Sequence, residues 1–147
     1  MRSALAMVVV LLLLTGCAPE PKIEETTFAE ALMVDLAASQ QLPSGMYIRD
    51  QLEGTGSVAA NGNTLTMRYT GWLANGTQFD SNQGRGFQFV LGEGVVIAGW
   101  DLGVKGMKTG GKRQLIIPPA LGYGASGSGP IPPNAILVFD VTLVSQP

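Results

Sequence analysis

The chain has 147 residues, with 9 lysines and arginines against 11 aspartates and glutamates, no histidine and a single cysteine. Without an imidazole there is no Ser/His/Asp or Cys/His nucleophile system, and without His/Cys clusters there is no soft-ligand metal site. The net charge of −2 and the lack of a dense basic patch argue against a nucleic-acid partner, since the only cluster, Lys105, Lys108, Lys112 and Arg113, reads as a solvated turn.

Met1-Arg2, an apolar run from Val8 to Leu14 and small residues at Thr15-Gly16 describe a secretory signal peptide over residues 1–16. The run is shorter than the roughly 20 residues a membrane-spanning helix needs. Leu14-Thr15-Gly16-Cys17 resembles the bacterial lipobox. That resemblance implies cleavage before Cys17, lipidation of Cys17 and a mature chain of 131 residues held to a membrane surface at the bacterial cell envelope. Ala18 after the cysteine implies, by the same resemblance, the outer membrane facing the periplasm where the host has two membranes. With Cys17 consumed no disulfide is available, so the fold stands on its apolar core, and the length suits one domain plus a tether.

Residues 17–26, with prolines at 19 and 21, read as that tether. Thr27 and Glu30 form an S/T-x-x-E capping box, and Phe28, Ala31, Leu32 and Leu36 follow at helical spacing. This predicts a helix over 27–40, its apolar face widened by Met33 and Val34, in a segment 27–42 that either docks on the domain or pairs with a second copy. Pro43 and Gly45 stop it.

Strand signals take over from residue 43 to 147. Met46–Arg49 is β-prone, Gly54–Asn63 is a loop, and Thr64–Leu73 alternates with Leu65, Met67 and Tyr69 on one face. Asn75-Gly76 is a strong hairpin signal, and Thr77–Phe79 begins the return. Phe87–Leu91 predicts another strand. Ile97–Val104 is long enough for two helical turns ended by Gly106. Lys112–Ile117 and Ile136–Val144 complete the strands, with the Pro/Gly-rich span Pro118–Pro133 as loop between them. Together these predict an α+β domain, a twisted antiparallel sheet packed on one short helix. No internal repeat is present.

Two nucleotide-binding patterns fail on context. Gly106–Lys112 satisfies G-x-x-x-x-G-K, but Arg113 follows where Ser or Thr would ligate magnesium, and the segment leads into a strand. Gly122–Gly127 satisfies G-x-G-x-x-G, but Pro130, Pro132 and Pro133 forbid the helix that pattern requires. Asp80, Glu93, Asp101 and Asp140 share no spacing that marks a paired-carboxylate site.

Six motifs stand in order: Tyr69-Thr-Gly-Trp-Leu73, Asn75-Gly-Thr-Gln-Phe-Asp-Ser81, Phe87-Gln-Phe-Val-Leu-Gly92, Val96-Ile-Ala-Gly-Trp100, Gly122-Tyr-Gly124 and Ile131-Pro-Pro-Asn-Ala-Ile-Leu-Val-Phe-Asp140. From about residue 46 to 145 the chain thereby resembles the FKBP-type peptidyl-prolyl cis-trans isomerase domain. The resemblance implies a curved antiparallel sheet wrapped around one short helix. It implies a pocket with Trp100 as floor and Tyr69, Phe79, Phe87 and Phe139 as aromatic walls. Val96 and Ile97 line the turn before the helix, and Tyr123 and Ile131 lie on a loop overhanging the mouth. Asp80 resembles the family's buried carboxylate and Arg85 the basic residue that pairs nearby. Phe89, Leu91, Leu115, Val138 and Val141 are left as core.

Such a pocket needs no cofactor, metal or nucleophile. Rotation about an X–Pro bond faces a barrier of about 18–20 kcal/mol because the planar imide is resonance-stabilised. Twisting removes double-bond character and charge separation, so a water-excluding aromatic cradle favours the twisted form over the planar one. The resemblance implies proline-containing polypeptides, exported proteins in need of folding, as substrates, macrolides such as rapamycin as ligands, and a monomer. The alternative is a non-catalytic chaperone or scaffold holding proline segments in the same cradle. Departures from the family lie at the rim: Ser128-Gly129-Pro130 and Arg68 stand where many members carry histidine, and the segment between Arg85 and Phe87 is contracted to Gly86.

Overall fold

The structure is a computed structural model and describes residues 19–147. The signal peptide expected over 1–16, the lipidation expected at Cys17 and the first residues of the tether lie outside the described residues. Six strands, β1 Gln40–Gln41, β2 Tyr47–Leu52, β3 Thr64–Leu73, β4 Gln78–Val90, β5 Lys112–Ile117 and β6 Leu137–Ser145, form one antiparallel sheet in the order β1-β2-β5-β6-β3-β4. Among the described residues one α-helix, α1 Ala98–Gly103, packs on its inner face. This is the curved sheet around a short helix that the sequence implies.

Alternation along β5 shows how one strand serves two cores. Leu115 and Ile117 face α1 in the inner core with Leu65, Met67, Val104 and Leu143, while Ile116 faces outward. The helix lies close against the sheet because glycines form its contact stripe. A Cβ on Gly99 would stand 2.6 Å from Ile117, and one on Gly103 would stand 2.7 Å from Met46. Arg113, which charge clustering assigns to a solvated turn, points inward from β5 and is buried.

β4 is a single strand where the sequence suggests a short return and a separate strand at Phe87. Between the pairs Tyr69–Asn82 and Met67–Phe87, β3 advances two residues and β4 five, so residues 83–86 bulge from the ladder. The predicted loop Pro118–Pro133 contains one 3-10 turn, Pro119–Leu121.

The helix predicted over 27–40 does not form. Instead residues 23–41 cross the outer face of the sheet as a strap, with 3-10 turns at Ile23–Glu25 and Glu30–Leu32 and the two-residue strand β1 paired to β2. Ile23, within the expected tether, is buried with Tyr47, Ile116 and Ile136, and Phe28, Val34 and Leu36 pack on this second core. The apolar periodicity is real, but its partner is a sheet face. The carbonyls of Leu32 and Met33, which a helix would commit to its own N–H groups, accept instead from Gln114 Nε2 at 2.8 Å and Arg49 Nη2 at 2.7 Å. The N–H of Ala29 donates to Ala74 O at 2.8 Å. A lone helix of this length is marginal in water, so these sheet-supplied bonds and the burial decide the outcome. Met33 follows in the left-handed region at φ 51°.

Candidate functional site

A cavity of about 520 Å³ opens between α1, the β3–β4 half of the sheet and the loop after β5. Trp100, in the first turn of α1 and buried, forms its floor. The indole is held edge-to-face by Tyr69 from β3, with ring centroids 5.0 Å apart at 86°, and by Phe139 from β6, at 5.5 Å and 86°. Phe79 meets Phe139 in the same way at 5.4 Å. Such packing sets each ring's positive edge against a neighbour's negative face and adds roughly 0.5–1.5 kcal/mol per pair beyond burial. Gly71 makes the cluster possible: a Cβ there would stand 2.7 Å from the rings of both Phe139 and Phe79.

The sequence expectations divide clearly. Tyr69, Phe79, Asp80, Phe87, Val96 and Ile97 line the cavity, as do Trp100, Tyr123 and Phe139. Ile131 does not: it is 6% exposed and packs in the inner core, its N–H donating to Ser128 O while its carbonyl accepts from Ser128 N–H. That hairpin-like closure turns its side chain inward beneath the loop. Arg85 is also absent from the lining and forms no ion pair with Asp80. It sits on the 83–86 bulge, which carries it out to solvent.

Asp80 corrects the expectation of a buried carboxylate. It is exposed at the rim, where Oδ2 accepts from the Tyr69 hydroxyl at 2.6 Å and Oδ1 from the Ser81 N–H at 2.8 Å. Burial first, and then the bond to Asp80, push the Tyr69 hydroxyl far above the ordinary tyrosine range. Burial and the Asp80 charge raise that of Tyr123 as well. Both hydroxyls are neutral hydrogen-bonding groups at physiological pH.

Sequence reasoning missed Gly94 and Val95, which line the mouth beside Val96. Val95 is 63% exposed, a free apolar side chain at the rim. Its signal is adjacency, because the Gly92-Glu93-Gly94 turn leads straight into the wall residues. Asp101 anchors that turn from α1, accepting from Gly92 N–H at 2.9 Å and Gly94 N–H at 3.1 Å. Phe89, assigned to core, packs on Trp100 from behind at 5.7 Å. The indole N–H of Trp100 is buried with no acceptor among the described residues.

A floor and walls of aromatic rings, with the carboxylate and the tyrosine hydroxyls at the rim, suit a substrate whose reacting centre loses polarity as it reacts. Comparison with known proteins agrees. Residues 56–144 match the family model described as FKBP-type peptidyl-prolyl cis-trans isomerase. The chain belongs to that family, and its domain is a peptidyl-prolyl cis-trans isomerase of the FKBP type. It is 52% identical over 103 residues to the FK506-binding protein of Neisseria meningitidis serogroup B, covering 68% of this chain and 94% of that one. It is 53% identical over 108 residues to FK506-binding protein 4 of Rhizopus delemar, covering 72% of this chain but only 28% of that much longer protein. Among solved structures it resembles AtFKBP13, with a TM-score of 0.69 and 41% identity over 74% of this chain and 98% of that one. FkpA from Escherichia coli gives 0.70 and 35% identity over 80% of this chain and 55% of that one.

Proposed function

We propose that this chain accelerates cis-trans isomerisation of X–Pro bonds in exported polypeptides by seating the proline ring on Trp100, between Tyr69 and Phe139. The single observation that carries this is the cavity itself, whose floor and walls are aromatic and whose charged group, Asp80, stands at the rim. The planar imide is polar and prefers water; the twisted imide is less polar and loses little on entering the cradle. Each 1.4 kcal/mol of that preference is a tenfold acceleration. The Tyr123 hydroxyl, neutral and at the mouth, donates to a carbonyl flanking the proline. Val95, Val96 and Ile97 contact the residue before it. Phe79, Phe87 and Asp80 complete the site, Asp80 by holding the Tyr69 ring through its hydroxyl.

A coupled prolyl-isomerisation assay on a short X–Pro peptide tests this reading. Turnover abolished by substitution at Trp100 or Phe139 in folded protein supports it; turnover indifferent to both sinks it. The printed names of the relatives make FK506 and similar macrolides ligands to try in competition. The lipobox-like Leu14–Cys17 supports a lipid anchor at Cys17 and residence at the bacterial cell envelope, on the outer membrane facing the periplasm where the host has one. Cell fractionation of Cys17→Ser tests the anchor, with release of soluble or unprocessed protein expected.

A further inference from the structure

We propose that Arg113 is a positioning residue for the isomerase pocket, holding the last turn of α1 and with it the Trp100 indole that floors the cavity. The inference rests on the reading of that cavity as the isomerase site.

α1 has only six residues. A helix so short has no stability of its own, and its last carbonyls have no intrahelical donors. The contact stripe that brings it against β5 is made of Gly99 and Gly103. Glycines permit close approach but offer no side chain to interlock, so the stripe fixes distance without fixing register along the strand. Trp100 is the neighbour of the first of these glycines, and any slide or roll of the helix moves the floor of the pocket.

Arg113 supplies the missing lock. Its Nη1 donates to Gly103 O at 2.9 Å, the last carbonyl of the helix, and to Lys105 O at 3.3 Å, two residues beyond it. Its other edge is held in turn: Nε donates to Asp50 Oδ1 at 2.6 Å and Nη2 to Asp50 Oδ2 at 3.2 Å. Asp50 is the register partner of Arg113 across β2 and β5, so the ladder sets the two side chains beside one another. The guanidinium, in a side chain 8% exposed, thus joins two strands to a helix end through one rigid planar fork. A cation at this end also complements the helix dipole. Lysine keeps the charge but cannot reach both the carboxylate and the two carbonyls in one geometry.

The experiment labels the full chain with 5-fluorotryptophan and follows two 19F lines, those of Trp72 and Trp100, assigned through Trp72→Phe. Turnover on an X–Pro peptide is measured on the same samples. Arg113→Met, checked for a cooperative unfolding transition above the assay temperature, is expected to lower kcat at least tenfold with little change in KM. The Trp100 line should shift or broaden while the Trp72 line stays. Arg113→Lys is expected to fall between parent and Arg113→Met in both readouts. Should Arg113→Met not fold, Arg113→Lys carries the test, with a loss of about threefold or more and a displaced Trp100 line expected. A Trp100 line unmoved in the folded variant, or turnover per folded molecule within twofold of the parent, overturns the proposal. A parent protein with no turnover at all would fail the reading of the pocket instead, and the fluorine lines would still decide whether Arg113 holds Trp100.

Discussion

The hydroxyl of Tyr69 donates to Asp80 across 2.6 Å, which ties the ring that leans on Trp100 to the neighbouring strand at the pocket rim. A wall that must tell a twisted imide from a planar one gains from being held from outside the apolar floor. Tyr69→Phe keeps the ring and removes the tie. We expect stability to fall by about 0.5–1.5 kcal/mol, the net worth of one hydrogen bond, and turnover to fall several-fold. Urea unfolding and the coupled peptide assay measure the two. Unchanged turnover in a destabilised protein would assign the bond to the scaffold alone.

Two tyrosines of the pocket bear on the response to pH. Tyrosine ordinarily titrates near 10, and the hydroxyls of Tyr69 and Tyr123 are both raised. A raised folded-state value favours the protonated form. Its contribution to stability is therefore fully present below about pH 10 and is lost only as pH rises through the higher folded-state value. With no histidine in the chain, kcat/KM should stay flat from about pH 6 to 9. A bell-shaped profile centred in that range would show a titrating catalytic group and contradict the mechanism.

Gly71 should be intolerant of a single methyl group. Alanine ordinarily stabilises a strand relative to glycine by roughly 0.5–1 kcal/mol. At position 71 the Cβ meets the Phe79 and Phe139 rings at 2.7 Å, and overpacking of that kind costs about 1–3 kcal/mol. Gly71→Ala is expected to be net destabilising and to lower turnover about tenfold by displacing the walls. Gly84→Ala, where a Cβ meets nothing within 4 Å, is the control and should leave both properties near those of the parent. Thermal unfolding and peptide turnover distinguish them.

Removing residues 19–42 should separate stability from catalysis. No residue of the strap lines the cavity, so turnover per folded molecule should remain within a few-fold of the full chain. The deletion uncovers Tyr47, Ile116 and Ile136. Losing the burial of Ile23, Leu32 and their neighbours is expected to cost at least about 3 kcal/mol, on the order of 10 °C in Tm. Turnover that disappears from a deletion still folded would mean that the bond from Ala29 to Ala74 supports the hairpin leading to Phe79.

Much of this was legible because period and punctuation agree in the domain. The strand predicted at Lys112–Ile117 forms with those bounds, and the turn signal at Asn75-Gly76 lies between β3 and β4. The strap was misread because spacing reports which side chains share a partner, not whether that partner is reached by a helix or by an extended segment crossing a sheet. The acceptors for Gln114 and Arg49 at Leu32 and Met33 lie 82 and 16 residues away in sequence, beyond any local pattern. Arg85 and Ile131 failed for a different reason. Both match a motif by position, but a bulge carries one outward and a closed loop turns the other inward, and side-chain direction there depends on local backbone geometry. Arg113 was hidden because a run of positive charges looks solvated until the carbonyls of a neighbouring helix end are brought beside it.

The docking of Ile23 sets a leash length. Only residues 18–22 separate Cys17 from the first buried side chain of the strap. Fully extended, the steps from Cys17 to Ile23 reach about 20 Å, less than the diameter of the domain they would carry. Were Cys17 lipidated as proposed, the catalyst would patrol a thin layer at the lipid surface. Its encounters would then be two-dimensional, with polypeptides crossing or inserting at that surface, and distant chains would reach it only by diffusing to the membrane themselves.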